Sequence, residues 1–490
     1  MRKSLEKNLL LTVMIVFTVF QYSILRSIKD SFVVDIAPEF LSAIKSFVVL
    51  PVAAFAMVFY MQISKKLNRV HTYHLFNLIF GAIVIVYGFI INDTYTDYFF
   101  DGLAEYQEKF PSLYYPIGVV RYWVVSFYYL TAELYGTFML SLLFWQIANQ
   151  ITGTDEAPGL YPKLGIAAQV GLFASGQFSS IISVASVGEN GEKVMKSWDV
   201  VLANVGIGCV ASTAILAFCI ERLKGVVGSS TINFTKGFKG EKIKMSFKES
   251  ISFIMKSPEI GFLVLFVLAY GIAFNTIEGV YKKYAAMAFA GKTAYFIFSS
   301  QVQMWTAGSA ILFGLFGSYI GKKLKWRTIA LMTPSIILGT AILFFACIKF
   351  SSSVETWIAT YIGIKAVQVI AVCGAIQNVV GKGAKYPLFD SSLERVYTVL
   401  GEELRTRGKA VVSVLGGRTG KGFGGLWQQF LLWLYVVVYS PATAPSIVNI
   451  QDALLWTSIL ICIPWIIAIF PMSEKFEERR AQKISETGEA

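Results

Sequence analysis

The chain has 490 residues, of which 55% are hydrophobic, 15% aromatic and only 15% charged, with a formal net charge of +12. A soluble domain usually carries about 25% charged residues, and its core stops growing near about 250 to 300 residues. The balance therefore excludes an ordinary soluble protein and points to one whose apolar surface lies in lipid.

The N-terminal charges Arg2, Lys3, Glu6 and Lys7 precede an apolar run without a small-residue cleavage site, so a removable signal peptide is not expected. Runs of about 20 apolar residues, the length that crosses about 30 Å of hydrocarbon, lie near 9–25, 44–63, 73–91, 119–148, 160–185 and 199–220. After a polar break they resume near 258–280, 294–320, 327–349, 356–380, 409–438 and 452–471. The pattern predicts an all-α membrane protein of twelve transmembrane helices. Its divisions are an N-terminal six-helix half (1–220), a basic linker (221–257), a C-terminal six-helix half (258–473) and a tail (474–490). Six plus six around a basic linker is a major-facilitator-like layout, with the site expected between the halves near the midplane. Cys209, Cys219, Cys347, Cys373 and Cys462 all fall in apolar runs without metal-site spacing and are expected to pack.

Lys and Arg are retained on the cytoplasmic side of a membrane protein. The loops with Lys65, Lys66 and Arg69, with Lys322, Lys323, Lys325 and Arg327, and with Lys382, Lys385, Arg395, Arg405 and Arg407 are thus inner loops. The acidic segment 92–116, with Asp93, Asp97 and Asp101, is external. Both termini and the linker are then cytoplasmic. The linker's basic residues serve orientation and anionic lipid, not nucleic acid.

Charges within spans cost about 2.5 to 3.5 kcal/mol each on insertion scales, so those that persist usually face a polar cavity or a partner. Arg26, Lys29 and Asp30 close span one in LRSIKDSFVV, on the expected external side where bases are disfavoured. Glu278, Lys282 and Lys283 occupy the corresponding place in span seven, in NTIEGVYKKY. Snorkelling to the headgroups explains either cluster alone, but less readily both at matching positions. Glu133 stands deep in the long fourth span, and Lys365 is isolated in YIGIKAVQV of span ten; each is either half of a structural ion pair or part of the transport machinery.

The eleventh span opens with RTRGKAVVSVLGGRTGKGFGGLWQQF, which brings Lys409, Arg418 and Lys421 into a glycine-rich helix. A phosphate loop ending at Lys421 would need Gly at 415 and Ser or Thr at 422, where Leu415 and Gly422 stand, so this is no ATPase motif. The glycines serve either close helix packing or an anionic substrate. Arg26, Lys29, Lys282, Lys283, Arg418 and Lys421 together form an excess of intramembrane bases that a polyanionic substrate would match.

At these residues the sequence resembles the ATP/ADP translocase family of obligate intracellular bacteria and plastids. The resemblance lies in LRSIKDSFVV (25–34), AELYGTFMLSLLFWQIANQIT (132–152), AYGIAFNTIEGVYKKY (269–284), IQNVVGKGAKYPLFD (376–390) and RGKAVVSVLGGRTGKGFGGLWQQ (407–429). It implies a twelve-span carrier exchanging ATP for ADP and phosphate across a bacterial inner membrane, with no cofactor or metal and no obligate protein partner. Other nucleotides, NAD, or proton-coupled uptake are the alternatives. Carried over by motif, the family's required charges fall on Lys29, Glu133, Glu278 and Lys421, with Lys409 competing for the last; Asn149, in the second stretch, joins the candidate substrate contacts. Departures from the family pattern, SSLERVYTVLGEELRTRGK after LFD and Tyr135 where the family has Trp, leave the base carried open. An integral-membrane enzyme would need a catalytic constellation, whereas the chain has only His71 and His74, both in an inner loop, and no acidic metal cluster.

Overall fold

The computed structural model describes residues 2–153, 155–187, 193–228, 252, 254, 257–361, 363–412, 419–440 and 444–487; most of the linker lies outside them. The architecture is nearly all helical. In the first part of the chain the main helices are α1 (Arg2–Ile36), α2 (Leu50–Lys66), α3 (Arg69–Ile85), α4 (Trp123–Tyr135), α5 (Trp145–Ile151), α6 (Ala157–Ser183) and α7 (Trp198–Val227). They are followed by α8 (Pro258–Ala288), α9 (Lys292–Lys323), α10 (Trp326–Tyr361), α11 (Ala366–Ala384), α12 (Ser391–Val399), α13 (Glu402–Val411), α14 (Thr419–Tyr439) and α15 (Ile447–Thr487). An antiparallel pair of short strands, β1 (Val184–Val187) and β2 (Lys193–Met195), joins α6 to α7, an addition to the expected all-α pattern.

Among the described residues nine helices are long and apolar enough to cross a membrane. The three expected spans outside that set, 119–148, 294–320 and 409–438, coincide with helical chain at Trp123–Ile151, α9 and α14. Polar residues such as Glu133, Gln301, Gln303 and Gln428 lower their mean hydropathy. The fourth span is not one α-helix: a nine-residue π-helical segment, Gly136–Phe144, separates α4 from α5. Among the described residues three further π segments occur, Lys45–Val49 before α2, Val86–Ile91 after α3 and Lys385–Asp390 after α11.

The chain packs as two compact units, Met1–Lys239 with Phe289–Gly308, and Gly240–Ala288 with Ser309–Ala490. The expected division at the linker is thus modified, because the first half of α9 belongs to the first unit: Ser300 Oγ donates to Ser27 Oγ at 3.1 Å and Gln303 Nε2 to the Ser23 carbonyl at 3.3 Å. In that unit α1 is the central helix, packed by α4, α6 and α7. Its residues Leu11, Met14, Leu25 and Val33 are fully buried. Close approach is built in at Gly171, where a Cβ would stand 2.3 Å from the Val16 carbonyl oxygen. Between spans such contacts gain through close packing rather than through removal of apolar surface from water, and the helix ends at Ile36, two residues before Pro38.

In the second unit α8 is central, packed by α11, α14 and α15. The glycines of the eleventh span serve this packing. A Cβ on Gly420 would meet Gly271 Cα at 3.3 Å, and one on Gly424 would meet Asn275 Cβ at 2.8 Å, so α14 lies backbone to backbone on α8.

Candidate functional site

In the first unit the site is built on Lys29. Helix α1 continues through IKD because the residues around the charges are themselves buried: Ile28, Phe32 and Val33 are at most 1% exposed. Lys29, carried on this helix, is 2% exposed and does not snorkel. Its Nζ lies 3.1 Å from Asp30 Oδ1 and 2.9 Å from Glu133 Oε1, and stands 3.6 Å from the centroid of the Tyr129 ring. Glu133 is on the last turn of α4, three residues before the π segment, with its side chain 31% exposed. The tyrosine one turn earlier on the same helix supplies the ring face, so α4 holds the ammonium from two sides. Phe32, nearly one turn further along α1, packs edge to face with Tyr87, Tyr95, Tyr128 and Trp198. Removing one member of such a buried pair typically costs about 3 to 5 kcal/mol, because the other charge is left without its match. Arg26 is half-buried one turn before Lys29 on α1. Asn149 is elsewhere, exposed on α5, where its Oδ1 accepts from the Tyr161 hydroxyl at 2.6 Å.

In the second unit Glu278 of α8 takes the central place. It is 5% exposed, and its Oε1 is 2.9 Å from Lys382 Nζ and 3.8 Å from Lys282 Nζ. Lys382 also lies 5.3 Å from the Phe274 ring centroid. One turn on, Lys385 pairs with Asp390 at 2.7 Å and stands 5.9 Å from the Tyr270 ring. Lys283 is half-buried beside them in sequence.

Several expected positions change. Lys382 was expected in an inner loop after a span ending near 380, but α11 runs to Ala384 and carries it within the helix. Lys365, expected inside the tenth span, is exposed at the N-cap of α11, its backbone N–H donating to Gln368 Oε1 at 3.0 Å. The break is set by Gly363, whose φ of 74° ends the preceding helical path. Lys409, on α13, is an exposed partner of Glu394 at 2.6 Å and lies 5.0 Å from the Tyr397 ring. Arg418 lies outside the described residues; Lys421 is in the first turn of α14, with its side chain outside them. Tyr129 and Lys382 were not singled out by sequence. A signal for Tyr129 existed, four residues before Glu133 on one helical face.

A family model, TLC ATP/ADP transporter, matches residues 1–476. The chain belongs to the TLC ATP/ADP transporter family. It is 32% identical over 477 residues to ADP,ATP carrier protein 1 of Rickettsia bellii (strain RML369-C), covering 96% of this chain and 93% of that one. It is 33% identical over 442 residues to ADP,ATP carrier protein 1 of Chlamydia pneumoniae, covering 87% and 85%. Among solved structures, a bacterial homologue of the iron transporter ferroportin in an inward-facing state superposes with a TM-score of 0.57 at 13% identity, covering 96% of this chain and 98% of that one. The nucleoside transporter NupG does so with a TM-score of 0.52 at 12% identity, covering 97% and 99%. At such identities these neighbours establish the fold alone, a multi-pass, major-facilitator-like transporter fold for this TLC family member. Family membership also makes the chain a carrier in class.

Proposed function

We propose that this protein exchanges ATP for ADP, with phosphate leaving beside ADP, across a bacterial cell membrane in which both termini are cytoplasmic. The observation that carries the reading is the 2.9 Å pair between Lys29, 2% exposed, and Glu133 on a second helix. A buried ammonium held by a carboxylate can be transferred to a phosphate oxygen, which accepts the same charge-assisted hydrogen bond. Glu133 is partly exposed, so water can take up the carboxylate as the phosphate arrives. Glu278 and Lys382 provide a second exchangeable pair, and Lys421 of α14 is a further base for the polyphosphate. The relatives named as ADP,ATP carriers and the family model support adenine nucleotides as the substrates. No chemical step is needed; the protein acts as a carrier, not an enzyme.

In this scheme the loaded carrier reorients readily and the empty one slowly, so uptake is tied to efflux. Proteoliposomes preloaded with ADP are expected to take up labelled ATP about tenfold faster than empty ones, a difference of about 1.4 kcal/mol in the reorientation barrier, with little response to an imposed pH gradient. A second reading, proton-coupled uptake, is favoured by one observation: Glu133 and Glu278 each pair with a lysine of the protein itself. Equal rates into empty and loaded vesicles, or uptake driven by external acid, would establish it in place of exchange. A thiol probe at Asp101 should label from outside, and failure to do so would reverse the orientation.

A further inference from the structure

On α11, Gln377 is fully buried and Asn378 is 3% exposed. Neither Oε1 nor Nε2 of Gln377, nor Nδ2 of Asn378, has a hydrogen-bond partner among the described residues. A buried carboxamide with both ends unmatched is costly and uncommon in a folded protein, and calls for a ligand or an internal water. Its surroundings favour a ligand of defined chemistry. Gly381, one turn further along α11, lets α8 approach so closely that a Cβ there would stand 2.9 Å from the Phe274 ring and 3.8 Å from Gln377 Nε2. The same ring is next to Lys382, whose ammonium is paired with Glu278. Tyr270, Phe274, Glu278 and Lys282 recur every fourth residue on α8 and so line one strip of that helix. An apolar ring, a carboxamide and a lysine thus lie along one α8–α11 contact.

We infer that Gln377 is a specificity-determining residue that reads the hydrogen-bonding edge of a nucleobase placed against Phe274, with the phosphates directed toward Lys382. The inference rests on the nucleotide-carrier reading above. A carboxamide presents an acceptor beside two donors, which pairs bidentately with the adjacent amino donor and ring-nitrogen acceptor of adenine. Aromatic faces take any base, so Phe274 adds affinity without discrimination. Binding of this kind requires α8 and α11 to part, because Gln377 is fully buried and the Phe274 ring is stacked on Tyr270 at 5.7 Å.

The test is inhibition of labelled ATP uptake by unlabelled ATP and GTP in intact cells, at matched amounts of protein in the membrane. Gln377→Met keeps the side chain's shape but reads neither base, and is expected to change the ATP-to-GTP inhibition ratio about tenfold toward unity. Gln377→Glu offers acceptors only when ionised, so at a pH high enough to ionise it the ratio is expected to shift toward GTP, whose edge presents two donors. If the methionine protein does not reach the membrane, the glutamate protein decides alone. Phe274→Leu should weaken inhibition by both nucleotides equally. A ratio within about twofold of the unaltered protein in the Gln377 variants, the outcome of a carboxamide satisfied by water, overturns the inference. Absence of any nucleotide uptake by the unaltered protein would instead overturn the carrier reading itself.

Discussion

The two units hold charge clusters built around central residues of opposite sign. In the first, one lysine, Lys29, stands between two carboxylates, Asp30 and Glu133. In the second, one carboxylate, Glu278, stands between two lysines, Lys282 and Lys382. The arrangement is otherwise alike. The central residue sits on the central helix of its unit, α1 or α8, and the partner across the helix contact, Glu133 or Lys382, comes three residues before a π-helical segment. A π segment widens the helix locally and is often found where a side chain must be placed for function. The repeated element is therefore a geometry, a central-helix charge clasped by a second helix just ahead of a distortion, and the sign of the charge is free to invert. The inversion gives each unit a different response to an anion: in the first a phosphate must displace carboxylates, whereas in the second it joins lysines.

The sharpest test of that difference removes the central residue of each cluster. Lys29→Gln leaves the buried Asp30 and the partly exposed Glu133 without their shared ammonium and is expected to abolish uptake while the protein still reaches the membrane. Lys29→Arg should retain part of it, since a planar fork replaces a point charge over Tyr129. Uptake above about a tenth of normal by Lys29→Gln would take Lys29 out of the site, given the about 3 to 5 kcal/mol usually lost when one member of a buried pair is removed.

Glu278→Gln, by contrast, leaves lysines that a phosphate can still use, so a weaker effect is expected, a fall in the rate of uptake with apparent affinity for ATP kept or improved. The exchanged pair, Glu278→Lys with Lys382→Glu, separates structure from function. If the pair only braces α8 against α11, the double variant recovers both membrane level and uptake. If Lys382 contacts substrate, it recovers membrane level alone. Full recovery would reduce the comparison to architecture.

Much of this was legible in the sequence, and the exceptions have physical causes. Hydrophobic run lengths located the spans, and the cost of charge in lipid drew attention to Lys29, Glu133 and Glu278, which are indeed buried or paired in the structure. Lys382 escaped because GKGAK looks like a loop after an apolar run. Its glycines instead allow tight helix contacts, a Cβ on Gly383 being placed 2.1 Å from Ser309 Oγ, so the helix continues. Lys365 was misplaced for the opposite reason, since apolar neighbours on both sides conceal the turn at Gly363. The π segments leave no periodic signature. Pairing across helices such as α1 with α4 depends on tertiary packing that a one-dimensional pattern does not encode.

A smaller effect separates the lysines that lie in clusters from those that do not. Lys409 and Lys365 are exposed, and a surface pair such as Lys409 with Glu394 contributes only about 0 to 1 kcal/mol. Lys409→Gln and Lys365→Gln are expected to leave uptake within about twofold of normal, whereas Lys421→Gln should abolish it. The reverse order for Lys409 and Lys421 would move the eleventh-span base from α14 to α13.

The smallest expected effect lies at the N-terminal end of α1, away from both clusters. Glu156, in the turn before α6, accepts from Lys7 and, at 3.1 Å, from Asn8 Nδ2, while Lys7 Nζ also reaches the Ile151 carbonyl at 3.1 Å. The hydrogen bond from Lys7 is the main cause that holds the Glu156 carboxyl below its ordinary value of 4.5, and it outweighs the opposing effect of burial. A depressed carboxyl binds its proton more weakly in the folded than in the unfolded chain. Its contribution is therefore complete above about pH 4.5 and is lost as the pH falls through the lower, folded value. Glu156→Gln should lower the melting temperature of the purified protein by about 1 to 2 °C at pH 7. The gap between the two proteins should close as the pH is taken well below 4.5, where both carry a neutral side chain. Uptake at neutral pH should be unchanged, because the pair ties the ends of α1 and α5 together without touching Lys29 or Glu133. A loss of uptake comparable to that of Lys29→Gln would mean that this end of the first unit takes part in transport, and that the contrast between the two clusters does not by itself account for it.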